Sequence, residues 1–349
     1  MDLLYDIAST MLAQVQKPTL AFLIGGMMLA AVGSRFEVPD QVYKLIVMLL
    51  LLKVGLGAGI SVRAAELMEL AVPALAAVAV GASIVLIGAR FLGRWRGVSH
   101  MDGMATAGLF GAVSASTLAA GMAMLETEGI AYEGFIGALY PFMDIAALVT
   151  AIVLARLSTE RKAAGAVQGG TMTMSGGHGP VLDVQMIRTI LVDTFRSPAI
   201  SALVLGLALG MFGRPETVYS SFYEPLFRGL LSVLMLVMGM EAWSRLSELR
   251  KVAHAYVLYG LAAPILHGLL GFFAGFVVHQ LTGFSAGGVV LLAVMASSSS
   301  DISGPPTLRA ALPEANPSAY VGTSTGLGTP VAILSIPIYI ALADFFIGL

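Results

Sequence analysis

The segment AVMASSSSDISGPPTLRAAL, residues 293–312, places four consecutive serines, an aspartate and two prolines in the middle of an apolar run. A second segment, GLFGAVSASTLAAGMAM, residues 108–124, also places glycine and small hydroxyl residues between apolar flanks. Pro305 and Pro306 remove two backbone donors and are expected to break the helix, and glycines weaken the other segment. Both segments are therefore predicted to be helices that are interrupted near their middle.

The composition of the whole chain indicates that these helices lie in a membrane. Of its 349 residues, 57% are hydrophobic and 11% are charged, against roughly 25% charged in an average soluble domain. A membrane crossing needs about 20 mostly apolar residues, and such stretches follow one another nearly end to end. This predicts an all-α polytopic membrane protein. The absence of cysteine excludes disulfides, thiolate metal sites and cysteine nucleophiles.

Ten transmembrane spans are predicted, five in each half of the chain. They lie near residues 17–34, 41–62, 71–93, 103–125 and 134–157 in the first half, and near 197–213, 224–244, 253–280, 286–311 and 318–346 in the second. The stretch 158–196 contains a Gly/Ser/Thr-rich run and is predicted to be a cytoplasmic linker. The predicted organisation is thus a first repeat (1–157), the linker and a second repeat (197–349).

The two halves resemble each other in sequence. KPTLAFLIGGMMLAAV at 17–32 aligns with SPAISALVLGLALGMF at 197–212. Because five is an odd number of spans, the two copies are expected to lie in opposite orientations, as in many secondary transporters. The interrupted segments are then the fourth and ninth spans. Matching interruptions of this kind are the best sequence indication of a transporter's binding site.

Most of the nineteen Lys and Arg residues fall in the loops on one side of these predicted spans. By the positive-inside rule that side is cytoplasmic, which places both termini outside. Lys53 lies inside a span and is expected either to face a polar pathway or to extend toward an interface.

A helix that is broken at mid-membrane leaves free N–H groups and a positive half-helix end, and both favour an anion. Asp301 follows the four serines, and Asp144 lies in the fifth span. A carboxylate at this depth is costly unless it is paired, protonated or bound to a cation, and serine hydroxyls with a carboxylate form a hard oxygen set that suits Na⁺. Two simpler interpretations stay open: small residues serve helix packing, and each aspartate caps freed N–H groups.

Six segments resemble the cyanobacterial sodium-dependent bicarbonate transporter family, SbtA, and cover almost the whole chain outside the linker. They are PTLAFLIGGM, GLFGAVSAST, GALYPFMDIAALVTAIV, LFRGLLSVLMLVMGMEAWSRLSELRKVA, SSSSDISGPPTLRA and NPSAYVGTSTGLGTP. The resemblance implies Na⁺-dependent, high-affinity bicarbonate symport through the plasma membrane, as part of a carbon-concentrating mechanism. It also implies a homotrimer, and a PII-like regulator, SbtB, on the cytoplasmic face.

Within that resemblance, a core domain (spans 3–5 and 8–10) would move against a gate domain (spans 1, 2, 6 and 7) to give alternating access. The residues expected to bind bicarbonate are Gly111, Ala112, Val113, Ser114, Ser116, Thr117, Ser298, Ser299, Ser300 and Ser303. The residues expected to bind Na⁺ are Asp144, Asp301, Ser114 and Ser299.

Three rival functions stay open at this point. The same fold could carry another small anion, or it could form a passive anion channel. An intramembrane hydrolase would combine Ser298 or Ser299 with Asp301 and His267, but the sequence has no G-x-S-x-G elbow, so no enzyme is expected.

Overall fold

This computed structural model describes residues 16, 18–64, 67–167, 188, 191–192, 195–248 and 254–349, and every regular element within them is helical. The first half contains α1 (Pro18–Ala31), α2 (Asp40–Ala64), α3 (Leu67–Leu92), α4 (His100–Gly111), α5 (Ala115–Glu128), a 3₁₀ turn (Gly134–Leu139) and α6 (Tyr140–Val167). The second half contains α7 (Pro198–Phe212), α8 (Glu216–Val218), a π turn (Tyr219–Tyr223), α9 (Glu224–Glu248), α10 (His254–Thr282), α11 (Ala286–Ser297), α12 (Gly304–Ala311), α13 (Pro317–Thr323), a second π turn (Ser324–Gly328) and α14 (Thr329–Phe346).

Seven helical stretches in the described ranges are long and apolar enough to cross a membrane, and α1, α7 and α11 are shorter apolar helices. These ten stretches coincide with the ten predicted spans, and the crossing of all ten stays a prediction. Helix α6 continues past the expected end of the fifth span at 157 to Val167, into the predicted linker. Most of that linker, residues 168–187, 189–190 and 193–194, lies outside the described residues.

Glycine brings helices into backbone contact at several places, among them the pairs α1–α9 and α2–α7. Gly26 of α1 lies against the backbone of α9 at Leu236, and Gly239 of α9 lies against the backbone of α1 at Leu23. Helices α2 and α7 meet in the same way, through glycines spaced four residues apart on each: Gly55 and Gly59 on α2, Gly206 and Gly210 on α7. Small residues allow such an approach, which gives close van der Waals packing between transmembrane helices.

The interrupted segments α4–α5 and α11–α12 lie at the centre of the remaining helices. Every residue of the most apolar window of the α4–α5 segment is buried, and so is α11 from Gly287 to Ser297. Helices α3 and α6 pack against α4, while α10 and α14 pack against α11. The α4–α5 segment and α11 are therefore shielded from the exterior by their neighbours, whereas α12 is partly exposed.

Each interrupted segment begins at a serine cap and is fastened to the opposite half of the chain. Ser99 caps α4 at Asp102, whose carboxylate accepts a hydrogen bond from Asn316 N at 2.6 Å, just before α13. Ser285 caps α11, and it donates through its backbone N and its hydroxyl to Glu133, at 2.6 and 2.8 Å, just before the 3₁₀ turn. These reciprocal links hold the two segments in register.

Candidate functional site

The first break comprises residues 112–114, between α4 and α5. Ala112 and Ser114 have extended backbone conformations, which end the helix after Gly111. The Ser114 hydroxyl then accepts a hydrogen bond from Thr117 N at 3.2 Å and so caps α5. A helix thus restarts at once, with its N-terminus in the interior of the protein.

The second break, residues 298–303, lies between α11 and α12. Here the expected role of the prolines is wrong. Pro305 and Pro306 do not break the helix but lie in the first turn of α12, where a missing N–H group costs little and the fixed φ suits the helix. The chain leaves helical geometry earlier, at Ser298, and the Ser300 hydroxyl accepts a hydrogen bond from Gly304 N at 2.9 Å as α12 begins.

The two breaks lie against each other and exchange hydrogen bonds in both directions. Ser114 N donates to the Ser298 hydroxyl at 2.9 Å, and Ser300 N donates to the carbonyl of Leu109 at 2.8 Å. Backbone groups that the breaks release from helical bonding are thus satisfied between the segments. These bonds bring Ser114 of the first break together with Ser298 of the second, and Ser300 together with the end of α4.

Asp301 provides a carboxylate to the first break. Its Oδ2 accepts hydrogen bonds from the hydroxyls of Ser114 at 3.2 Å and Ser116 at 2.9 Å, and these hydroxyls are 2.8 Å apart. Its Oδ1 is buried and has no hydrogen-bond partner in the described residues. A buried carboxylate oxygen without a partner, next to two hydroxyl oxygens, is suited to a monovalent hard cation.

Asp144, on α6, accepts hydrogen bonds from both breaks. Its two carboxylate oxygens accept hydrogen bonds from Val113 N and from the Ser303 hydroxyl, each at 3.1 Å, and its side chain is fully buried. Ser303 in turn lies 3.0 Å from the Ser300 hydroxyl. The capping role that the sequence left open for this aspartate is therefore present in the geometry.

Ser299 points away from Asp301, toward the second π turn. Its hydroxyl donates to the carbonyl of Ser324 at 3.1 Å and lies 3.3 Å from the Thr329 hydroxyl. Sequence reasoning did not select Ser324 or Thr329. The signal was available in the run STGLGT, which carries the same hydroxyl and glycine composition as the breaks, but a π turn has no distinctive sequence signature.

Two buried polar atoms of the predicted site residues have no partner in the described part of the chain: Asp301 Oδ1 and Thr117 Oγ1. The first is an acceptor on a carboxylate and the second is a hydroxyl that can donate. Thr117 lies in the first turn of α5, where the helix dipole and N–H groups favour negative charge. The two atoms are thus a free acceptor and a free donor on residues of the predicted site, among the described residues.

Two further side chains from the sequence analysis have clear environments. Lys53 is 4% exposed, pairs with Glu126 Oε1 at 3.3 Å and lies 4.0 Å from the centre of the Phe227 ring, so it does not extend to an interface. His267 packs against aromatic rings, and its Nδ1 has no hydrogen-bond partner among the described residues. The hydrolase alternative needed a hydrogen bond between this histidine and Ser298 or Ser299, and in the described residues those hydroxyls donate instead to the carbonyls of Met295 and Ser324.

A comparison with known families gives a match that covers most of the chain. The model of the Na⁺-dependent bicarbonate transporter superfamily matches residues 18–344, a range that includes both breaks and both aspartates. No curated protein matches the chain.

Proposed function

We propose, since the chain belongs to the Na⁺-dependent bicarbonate transporter superfamily, that it imports bicarbonate together with Na⁺ as a high-affinity symporter. Membership makes the chain a membrane transporter and not an enzyme. The observation that carries the symport mechanism is the pair of buried atoms without partners in the described residues, Asp301 Oδ1 and Thr117 Oγ1. One suits the coupling cation and the other suits the transported anion.

In this proposal Na⁺ binds at Asp301, with the Ser114 and Ser116 hydroxyls as further oxygen ligands. Asp144 is the less available of the two carboxylates, because both its oxygens already accept hydrogen bonds. Ser299 would contribute from its own oxygen cluster with Ser324 and Thr329. A cation beside the first break raises the affinity for an anion there, and by linkage the anion raises the affinity for the cation.

Bicarbonate in this proposal binds where the two breaks meet. The donors would be N–H groups and hydroxyls of Gly111, Ala112, Val113, Ser114, Ser116, Thr117, Ser298, Ser299, Ser300 and Ser303. Several of these hydroxyls already bond within the site, so ligand binding requires them to exchange partners. A site without arginine favours a small monovalent anion, since doubly charged oxyanions usually attract guanidinium groups.

The architecture proposed for transport is two inverted repeats of five spans. The reciprocal helix pairs support it: α1 packs on α9 as α7 packs on α2, and α1 corresponds to α7 in the sequence alignment. The reciprocal links at Asp102 and Glu133 support it as well. We define the gate as α1, α2, α7 and α9, and the core as α3–α6 with α10–α14.

Alternating access would arise from movement of the core against the gate. We further propose a homotrimer in the plasma membrane, with both termini outside and a PII-like regulator of the SbtB type on the cytoplasmic face. These assignments rest on the family and on the distribution of Lys and Arg.

The decisive experiment is uptake of labelled inorganic carbon by proteoliposomes at alkaline pH. An inward Na⁺ gradient should drive accumulation above equilibrium, and replacing Na⁺ by K⁺ should abolish it. Uptake that is indifferent to the cation would indicate a channel instead, and Na⁺-driven uptake of a different anion alone would indicate another substrate.

A further inference from the structure

A cleft of about 390 Å³ lies between α2, the first π turn and the loop before the 3₁₀ turn. Its polar lining consists of Lys53, Ser61, Tyr132, Tyr219, Ser220 and Glu216, and the Glu216 carboxylate is paired with Arg63. Gate and core residues both line this cleft, which the topology predicted from the sequence places on the side opposite the basic loops. It is distinct from the place where the two breaks lie against each other.

The ion pair of Lys53 with Glu126 crosses from gate to core in this cleft. Among the residues whose burial the structure describes, Lys53 is the one buried Lys or Arg. Replacing a buried ion pair by neutral side chains of similar volume is often neutral or stabilising, so stability does not account for its presence. An ionisable residue inside a membrane segment is a functional candidate by default.

The two partners differ in how well they tolerate separation. The Glu126 side chain is 28% exposed and also accepts a hydrogen bond from the Tyr132 hydroxyl at 2.9 Å, so water and tyrosine can solvate it without the lysine. The Lys53 side chain is 5% exposed, and its neighbours include the ring of Phe227. When the pair opens, the ammonium group is the partner that needs a replacement anion.

The cleft is connected to the site through α5. This helix begins at the first break and carries Glu126 near its other end. From Ser116 to Glu126 the helix rises about 15 Å, at about 1.5 Å per residue. An anion at Lys53 is thus about half a hydrocarbon thickness from the breaks.

We propose that Lys53 is an exchange site for the transported anion: a small monovalent oxyanion entering the cleft displaces Glu126 from the ammonium group and then moves on to the breaks. A single lysine charge matches a single negative charge, and the hydroxyls of Ser61, Tyr219 and Ser220 supply neutral donors for its oxygens. The inference rests on the proposed function and adds an entry site to it.

The test compares two single variants in proteoliposomes under a fixed Na⁺ gradient, with the half-saturating external bicarbonate concentration as readout. Lys53→Met removes the exchange cation and should raise that concentration by about tenfold or more. Glu126→Gln removes the competing anion and should lower it. If the pair only holds gate and core together, both variants should shift the half-saturating concentration in the same direction. That result, or no shift in either variant, would overturn the proposal.

The double variant K53M/E126Q keeps the test decisive if a single variant leaves an unpaired charge and fails to fold. It contains no buried charge at this position and should retain the thermal stability of the wild type. Its half-saturating concentration should be raised as in Lys53→Met, and a value equal to the wild type would contradict the exchange role. Absence of Na⁺-driven uptake in the wild-type protein would instead refute the proposed function itself.

Discussion

The helix pairs of the gate and the two broken segments of the core are joined by different kinds of contact. The gate pairs helices through glycine, backbone against backbone, as at Gly26 and Gly239. The core joins its two broken segments through side-chain and backbone hydrogen bonds among serines and two aspartates. Glycine contacts give shape without polar groups that a ligand could use, whereas the core network consists of groups that can exchange partners. The comparison indicates that the broken-helix site belongs to the core, and that the gate adds ligand chemistry only at Lys53, in the cleft where it faces the core.

A covalent link between the two regions should have the largest effect. A Cβ placed at Gly134, in the core, would lie 2.8 Å from the Cβ of Ser61, in the gate. Cβ atoms in disulfides lie about 3.8 Å apart, so a small outward shift would accommodate the bond. The variant S61C/G134C should lose essentially all uptake when oxidised, because core movement is blocked, and should recover it with reductant.

The chain offers a clean background for this experiment because it contains no other cysteine. Each single cysteine variant serves as the control and should be insensitive to oxidant. Normal uptake by fully cross-linked protein would show that gate and core do not move against each other at this boundary.

Within the core, Asp301→Asn should reduce Na⁺-driven uptake by about 100-fold, equivalent to about 2.7 kcal/mol. The change preserves size and removes the charge at the oxygen that lacks a partner among the described residues. Asp144→Asn is the matched comparison, because an amide oxygen still accepts from Val113 N, and a loss of about tenfold is expected. The measurement for both variants is the Na⁺-dependent uptake rate, normalised to folded protein. If Asp301→Asn keeps its Na⁺-coupled uptake, Na⁺ does not bind at the first break.

In the gate, a glycine substitution should affect stability and leave ligand chemistry unchanged. Gly26→Ala would place a methyl group against the Leu236 carbonyl and should cost about 1–3 kcal/mol. Gly25→Ala is the neighbouring control, since nothing lies within 4 Å of its Cβ position. Thermal unfolding should separate the two variants, while the half-saturating Na⁺ and bicarbonate concentrations stay at wild-type values. A shift in either concentration would contradict the division of roles.

The smallest effect is expected from single serine hydroxyls in the core. Ser298→Ala removes the acceptor of Ser114 N and should destabilise the protein by about 1–2 kcal/mol, because it leaves a buried N–H group unpaired. Ser297→Ala, one residue earlier, removes a hydroxyl that donates to the Val294 carbonyl of its own helix and not to the first break, so it should cost less than Ser298→Ala. Denaturation midpoints of the two variants measure the difference, and equal values would mean that the link between the breaks contributes no stability.

The sequence predicted what depends on local composition. Apolar runs located the helical stretches, and hydroxyl, glycine and proline residues inside two of them located both breaks. The position of the second break within its segment was not predictable from Pro305 and Pro306, because proline is compatible with a first helical turn as well as with a break. The local sequence pattern does not decide between a proline at a break and a proline in the first turn after it.

What the sequence did not show are contacts between residues far apart in the chain. The links from Asp102 to Asn316, from Glu133 to Ser285 and from Lys53 to Glu126 each join separate segments. The direction of the Ser299 hydroxyl likewise depends on a π turn in another segment. Such pairings depend on tertiary packing, which helical periodicity does not encode.

The glycine pairing of the gate also bears on how the chain is synthesised. Helices α1 and α2 make their closest contacts with α9 and α7, which lie in the other half of the chain. While only the first half has been synthesised, Gly26, Gly55 and Gly59 therefore lack the helices that cover them in the folded protein. These faces can be covered only after α7 and α9 have been made, so the gate pairs form late although their first helices are made early.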